Sequence, residues 1–150
     1  MTAVVGYEYY GRPYVIGEAP GRREGPPLGG ARKRIGDLIG LSEEEMARRF
    51  RWENLLDAWP GYGPNGGSAF PMDAARIRAY YLREEKYPGS RFILLGRRVA
   101  DAFWFKQPWF VWSNDLTVAP HPSGLSRWWN DPENLAAAKT FWTREAGIDG

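Results

Sequence analysis

The chain holds one histidine and no cysteine, so few side chains are left for chemistry. Disulfides, thiolate zinc sites, cysteine-held iron–sulfur clusters and a cysteine nucleophile are excluded together. Carboxylates, hydroxyls and His121 remain. The histidine lies in APHPSGLSRWWN, residues 119–130, where a proline on each side restricts the backbone. Ser123, Gly124 and Ser126 are small or hydroxyl-bearing residues of the kind that lie against a phosphate, and Arg127 adds a charge. Leu125 is an apolar side chain in the middle of this polar turn.

A second segment, GEAPG, spans residues 17–21. Glu18 is followed by the small Ala19, the rigid Pro20 and the permissive Gly21, so a substrate can approach the backbone closely while one acid points at it. The glycine spacing fits neither a Walker loop nor a dinucleotide GxGxxG. Both segments also have plainer readings: Glu18 as a cap on a nearby backbone N–H, and His121 as a hydrogen-bonded surface residue. Asp57 is a reserve carboxylate.

These residues need elements to position them. Short β-branched or aromatic runs alternate with helical patterns, which predicts a three-layer α/β/α fold around a central, mainly parallel four-stranded sheet. Strands are expected at 12–18, 51–57 and 90–96. The last of these, SRFILLG, carries the continuous apolar run of a central strand covered on both faces. WFVWSN and LTVAP read as a hairpin turning at Asn114 and Asp115. Helices are expected over 31–40, over 42–50 with Ser42 and Glu45 as a capping box, from Pro71 onward, over 97–105, and after Asp131 and Pro132 as N-cap and first helical residue. Two long glycine- and proline-rich loops leave the first two strands. In such a sheet the loops at the carboxyl ends of the strands form the ligand crevice, and GEAPG, the loop after ENLLD and the histidine turn all leave strands that way.

The length of 150 residues fits one domain over residues 1–150. The N-terminus shows no basic leader with an apolar stretch, and no apolar run nears the roughly 18 residues of a membrane span. A soluble, cytoplasmic protein is expected. The net charge is only +2, so any contact with nucleic acid has to come from a local basic face. Candidate pieces are Arg22 and Arg23, the run Arg32, Lys33 and Arg34, the pair Arg97 and Arg98, and Arg127.

GEAPG, with Glu24 beyond it, resembles the first motif of the uracil-DNA glycosylase superfamily in its iron–sulfur-containing branch, and HPSGLS resembles the second. The ending GLSR is similar to the mismatch-specific uracil glycosylases. Asn54 in ENLLD and the stretch FILLGRRVADAF fall between them in the matching order, so the resemblance spans about residues 12 to 142. It implies a monofunctional DNA glycosylase that flips out uracil, or a related altered base, and hydrolyses its N-glycosidic bond in base-excision repair. Glu18 takes the slot of the acid that activates water and stabilises the sugar cation. His121 takes that of the histidine bonded to uracil O2, and Asn54 that of the reader of the N3 and O4 edge. Ala19, Leu28 and Phe70 would complete the base pocket. Pro20, Gly21, Ser123, Gly124, Ser126 and Arg127 would grip the DNA, and Leu125 would wedge into the duplex.

This chain departs from that branch in three ways. It lacks the four cluster cysteines, so no cofactor and no metal are expected. Leu28 stands where the branch has a phenylalanine that stacks on uracil, with Phe70 or Tyr62 as substitutes. Its second loop, DAWPGYGPNGGSAFP, is longer and rich in aromatics and glycine. That loop motivates an alternative base, such as hydroxymethyluracil, xanthine or a hypermodified base. A non-catalytic DNA-binding module is the alternative of another class. DNA is the expected partner of what is expected to be a monomer. Trp128 and Trp129 either stack on bases or pack under the last helix beside Trp142.

Overall fold

The computed structural model describes residues 12–20, 28–61, 69–122 and 127–148. Four strands, β1 (Tyr14–Gly17), β2 (Arg51–Asn54), β3 (Phe92–Leu95) and β4 (Leu116–Ala119), form one sheet in the order β2-β1-β3-β4. Every pairing is parallel, with Tyr14 opposite Arg51 and Phe92, and Phe92 opposite Leu116. The FILL run is an interior strand, as its unbroken apolar character requires.

Alternation along each strand sends successive side chains to opposite faces. Val15, Ile93, Leu95 and Ala119 pack against α1 (Gly29–Ile39), α2 (Glu43–Arg49) and α5 (Pro132–Glu145), among Ile35, Met46, Phe141 and Trp142. Tyr14, Ile16, Phe92, Leu94, Leu116 and Val118 pack against α3 (Met72–Tyr80) and α4 (Arg97–Ala102), among Ala75, Ala79, Val99 and Ala100. The result is the three-layer α/β/α sandwich the pattern predicts. α3 passes directly into a π-helical turn, Tyr81–Lys86, whose Leu82 completes that second core.

Local chemistry explains most of the boundaries. Ser42 Oγ accepts from the Glu45 backbone N–H at 3.2 Å, but the Glu45 carboxylate turns to Arg48 and Arg49, so only half of the expected capping box forms. Asp131 caps α5 through the Glu133 N–H, with Pro132 in the first turn. Gly36 lets α1 lie close to α2: a Cβ there would come 2.8 Å from the Leu41 carbonyl oxygen and 3.0 Å from Met46 Cγ.

Three expectations need correction. The first long loop ends at Leu28, because Gly29 and Gly30 already belong to α1. The strands are four residues each, shorter than the apolar runs that announce them. The hairpin is reduced to one antiparallel bridge, Ser113 with Leu116, around a turn where Asn114 has φ 57°. Residues 110–113 still shield β4, since the Phe110 N–H donates to the Val118 carbonyl and Thr117 Oγ1 donates to that of Val111. Among the described residues no helix is long and apolar enough to cross a membrane.

Candidate active site

Because all four strands run the same way, the residues that leave their carboxyl ends gather along one edge of the sheet. Across that edge, in spatial order, stand Asn54 at the end of β2, Glu18 after β1, Gly96 after β3 and His121 after β4. The backbone ties them together. Gly17 is paired with Asn54, the Leu56 N–H donates to the Glu18 carbonyl at 2.8 Å, and the Gly96 N–H donates to the Ala119 carbonyl at 2.8 Å.

Gly96 has φ 90°, which a side chain would strain, and its Cα places a hypothetical Cβ 3.8 Å from His121 Cβ. The turn that Gly96 opens then carries Arg98 back to Glu18. Arg98 Nε donates to Glu18 Oε2 at 3.1 Å and Nη2 donates to Oε1 at 2.5 Å, a bidentate pair between half-exposed side chains. The same guanidinium lies over the Phe70 ring, 5.0 Å from its centre.

His121 is held differently. Trp129 Nε1 donates to its carbonyl at 2.8 Å, and Arg34 Nη1, from α1, donates to the next carbonyl, that of Pro122, also at 2.8 Å. Both clamps act on the main chain. The residue is open to solvent, yet desolvation is the largest influence on the ring and pushes its pKa below the usual 6.5. The negative charge of Glu18 acts against that shift and the positive charge of Arg34 reinforces it. Glu18 and Arg34 are therefore the charges that act on the ring, and the net lowering favours its neutral form.

Asn54 brings a further feature: its Oδ1 is buried and has no hydrogen-bond partner among the described residues. An acceptor withdrawn from water without a donor costs about 1–3 kcal/mol. Such an atom at the mouth of a sheet is a place for a ligand N–H. Leu28 and Phe70 approach the same edge from opposite layers. Leu28 packs with the first core and lies against Gly17, where a Cβ would overlap its Cδ2, while Ala19 and Phe70 pack on the second core. Pro20 is half-buried beside them, and Arg127 is exposed at the start of a 3-10 turn, Arg127–Asn130.

Gly21, Ser123, Gly124, Leu125 and Ser126, with Glu24 and Tyr62, lie outside the described residues. Asp57 is committed elsewhere: its side chain is 81% exposed and pairs with Arg78. Trp128 meets the rings of Trp109, Phe110 and Trp129, and both tryptophans pack against the core cluster that holds Phe141 and Trp142, which is the packing role of the two anticipated.

The expected basic face is largely spent on structure. Lys33 pairs with Asp37, Arg34 holds the histidine turn, Arg32 lies over Trp52, and Arg97 holds the Gln107 carbonyl and stacks on Trp109. Sequence reasoning marked these cations by type and missed two roles, Arg98 on Glu18 and Arg34 on the histidine turn. The only signal for the first was the position of Arg98 just past the end of a central strand. Among the described residues no group of three or more His, Asp or Glu stands ready to hold a metal ion. The chain matches no protein-family model, and no curated protein matches it.

Proposed function

We propose that this protein is a DNA glycosylase that accepts an extruded uracil, or a closely related altered base, and hydrolyses its bond to deoxyribose. Cleaving that bond puts positive charge on the sugar and negative charge on the departing base, so a site needs an anion on one side and a fixed donor on the other. Glu18 and His121 offer such a pair, and the observation that carries the reading is that both leave the carboxyl ends of parallel strands on one edge of the sheet, with Asn54 at the end of the strand next to that of Glu18.

In this reading the C1′–N bond breaks with its electron pair leaving on the base. The His121 N–H donates to the O2 atom, where that charge collects. Glu18 orients a water whose oxygen bonds to C1′, and the water gives up a proton to the carboxylate. Neutral imidazole keeps one N–H to donate and adds no positive charge to oppose the one that develops on the sugar. Asn54 supplies selection: its orphaned Oδ1 accepts the uracil N3–H and its Nδ2 donates to O4. Cytosine carries an acceptor at N3 and a donor at C4, so it would leave both amide atoms mismatched. A site built around a substrate hydrogen bond rejects the wrong partner by far more than a shape difference does.

The deciding experiment is mass spectrometry of free bases released from duplex and single-stranded oligonucleotides carrying uracil, hydroxymethyluracil, xanthine or ordinary bases. Release of uracil, lost in Glu18→Gln and in His121→Ala, is the expected result. Release of another base alone moves the assignment to that base. Binding to DNA with no base released from any substrate leaves a gripping module.

A further inference from the structure

The crevice contains a contradiction that points beyond these assignments. A carboxylate that stabilises a sugar cation has to present an uncompensated charge, yet both oxygens of Glu18 are engaged by Arg98. In that state the pair offers the substrate a dipole. Arg98 has the means to let go: its side chain is 44% exposed, and it reaches Glu18 from the beginning of α4 across the Phe70 ring. A DNA backbone entering the crevice brings phosphates, and the planar guanidinium fork binds phosphate and carboxylate with the same bidentate geometry.

We propose that Arg98 is a DNA-phosphate ligand held in reserve by Glu18, so that gripping the backbone and uncovering the carboxylate are one event. The guanidinium exchanges one anion for another, no bond is made or broken, and the site stays electrically quiet until DNA arrives. The catalytic half of this proposal rests on the glycosylase reading, whereas the phosphate half concerns DNA binding alone. Arg97, next in the chain, is no substitute, because it is committed to the Gln107 carbonyl and the Trp109 ring.

The test is equilibrium binding of a base-damage-free duplex, read by fluorescence anisotropy over a range of salt concentrations, for the unaltered protein, Glu18→Gln, Arg98→Gln, Arg98→Lys and the double variant Glu18→Gln/Arg98→Gln. Loss of one phosphate contact weakens binding and lowers the salt slope by about 0.9, and this is expected for Arg98→Gln. Arg98→Lys keeps the charge and should keep the slope. Glu18→Gln should tighten binding by about tenfold, corresponding to about 1.4 kcal/mol of released competition, and that gain should vanish in the double variant.

A gain from Glu18→Gln that persists without Arg98 means simple removal of repulsion and overturns the proposal. So does an unchanged salt slope in Arg98→Gln, or a slope lost equally in Arg98→Lys. The glycosylase reading fails separately: if no base is released from any damaged duplex while these binding shifts hold, phosphate capture by Arg98 stands without catalysis.

Discussion

The two sides of the crevice are built on opposite plans. Glu18 is held through the atoms that would do its chemistry, since Arg98 engages both carboxylate oxygens. His121 is held through its backbone, with Trp129 and Arg34 bonded to the carbonyls of residues 121 and 122. The difference follows from charge. A half-buried anion needs a partner on its own oxygens, because desolvating it alone is expensive. A neutral ring does not, so the contacts that hold residues 121 and 122 fall on their carbonyls and leave the imidazole to other partners. In the proposed reaction the acid side would therefore have to be released before it acts, whereas the donor side would need no such release.

The strongest way to break this comparison is to remove each working group. His121→Ala and Glu18→Gln should each lower single-turnover base release by about 10²- to 10⁴-fold. The double variant should fall well short of the product of the two losses, because the groups act on one charge separation. Multiplicative losses would mean that the two sides work independently.

Asn54→Ala comes next and separates activity from stability. Base release should drop by roughly 10- to 100-fold, as expected when hydrogen bonds worth about 1.5–3 kcal/mol are lost. The melting temperature should hold or rise, because the orphaned buried Oδ1 disappears with the side chain. A fall in melting temperature together with activity would assign Asn54 a structural role.

The contrast between the two sides also marks how much could be read in the sequence. The sheet was legible, because a fully apolar run such as FILL has few places to go other than an interior strand. GEAPG and HPSGLS could be placed at strand ends for the same reason, as they follow apolar runs directly. The Glu18–Arg98 pair was not legible: it joins residues 80 apart that meet only once β1 and β3 become neighbours. Charge counting failed for a related cause. It treats arginines in a run as a solvent-facing patch, whereas Arg34 and Arg98 reach for a carbonyl and a carboxylate contributed by distant segments, and Arg97 for the Gln107 carbonyl just past its own helix. The hairpin expectation failed because the αL turn at Asn114 and the single bridge at Ser113 leave residues 110–112 as an irregular cover over β4.

A smaller effect sharpens the donor side through pH. His121 has a lowered pKa, so its neutral form persists below pH 6.5 and the acidic limb of the rate profile should lie below that value. Arg34→Gln removes a positive charge that helps to lower the pKa and should move the limb upward toward 6.5. Glu18→Gln removes the charge that raises it and should move the limb of the remaining activity downward. Stability follows the same sign. The unfolded chain takes up the proton more readily than the folded one, so folding loses free energy as pH falls through 6.5 and below. Shifts of the limb in one common direction for both variants would contradict the placement of His121 between these two charges.

The smallest expected effect belongs to Trp129. Trp129→Phe keeps an aromatic body beside Trp128 but deletes the donor to the His121 carbonyl, which should cost about 0.5–1.5 kcal/mol in a denaturation midpoint. If the clamp matters for chemistry as well as for folding, the rate should fall several-fold while the acidic limb stays where it is, because an indole carries no charge to shift the imidazole. Arg34→Gln, by contrast, should change rate and limb together. The two clamps on one turn therefore differ in a measurable way: one supplies geometry alone, and the other supplies geometry and field.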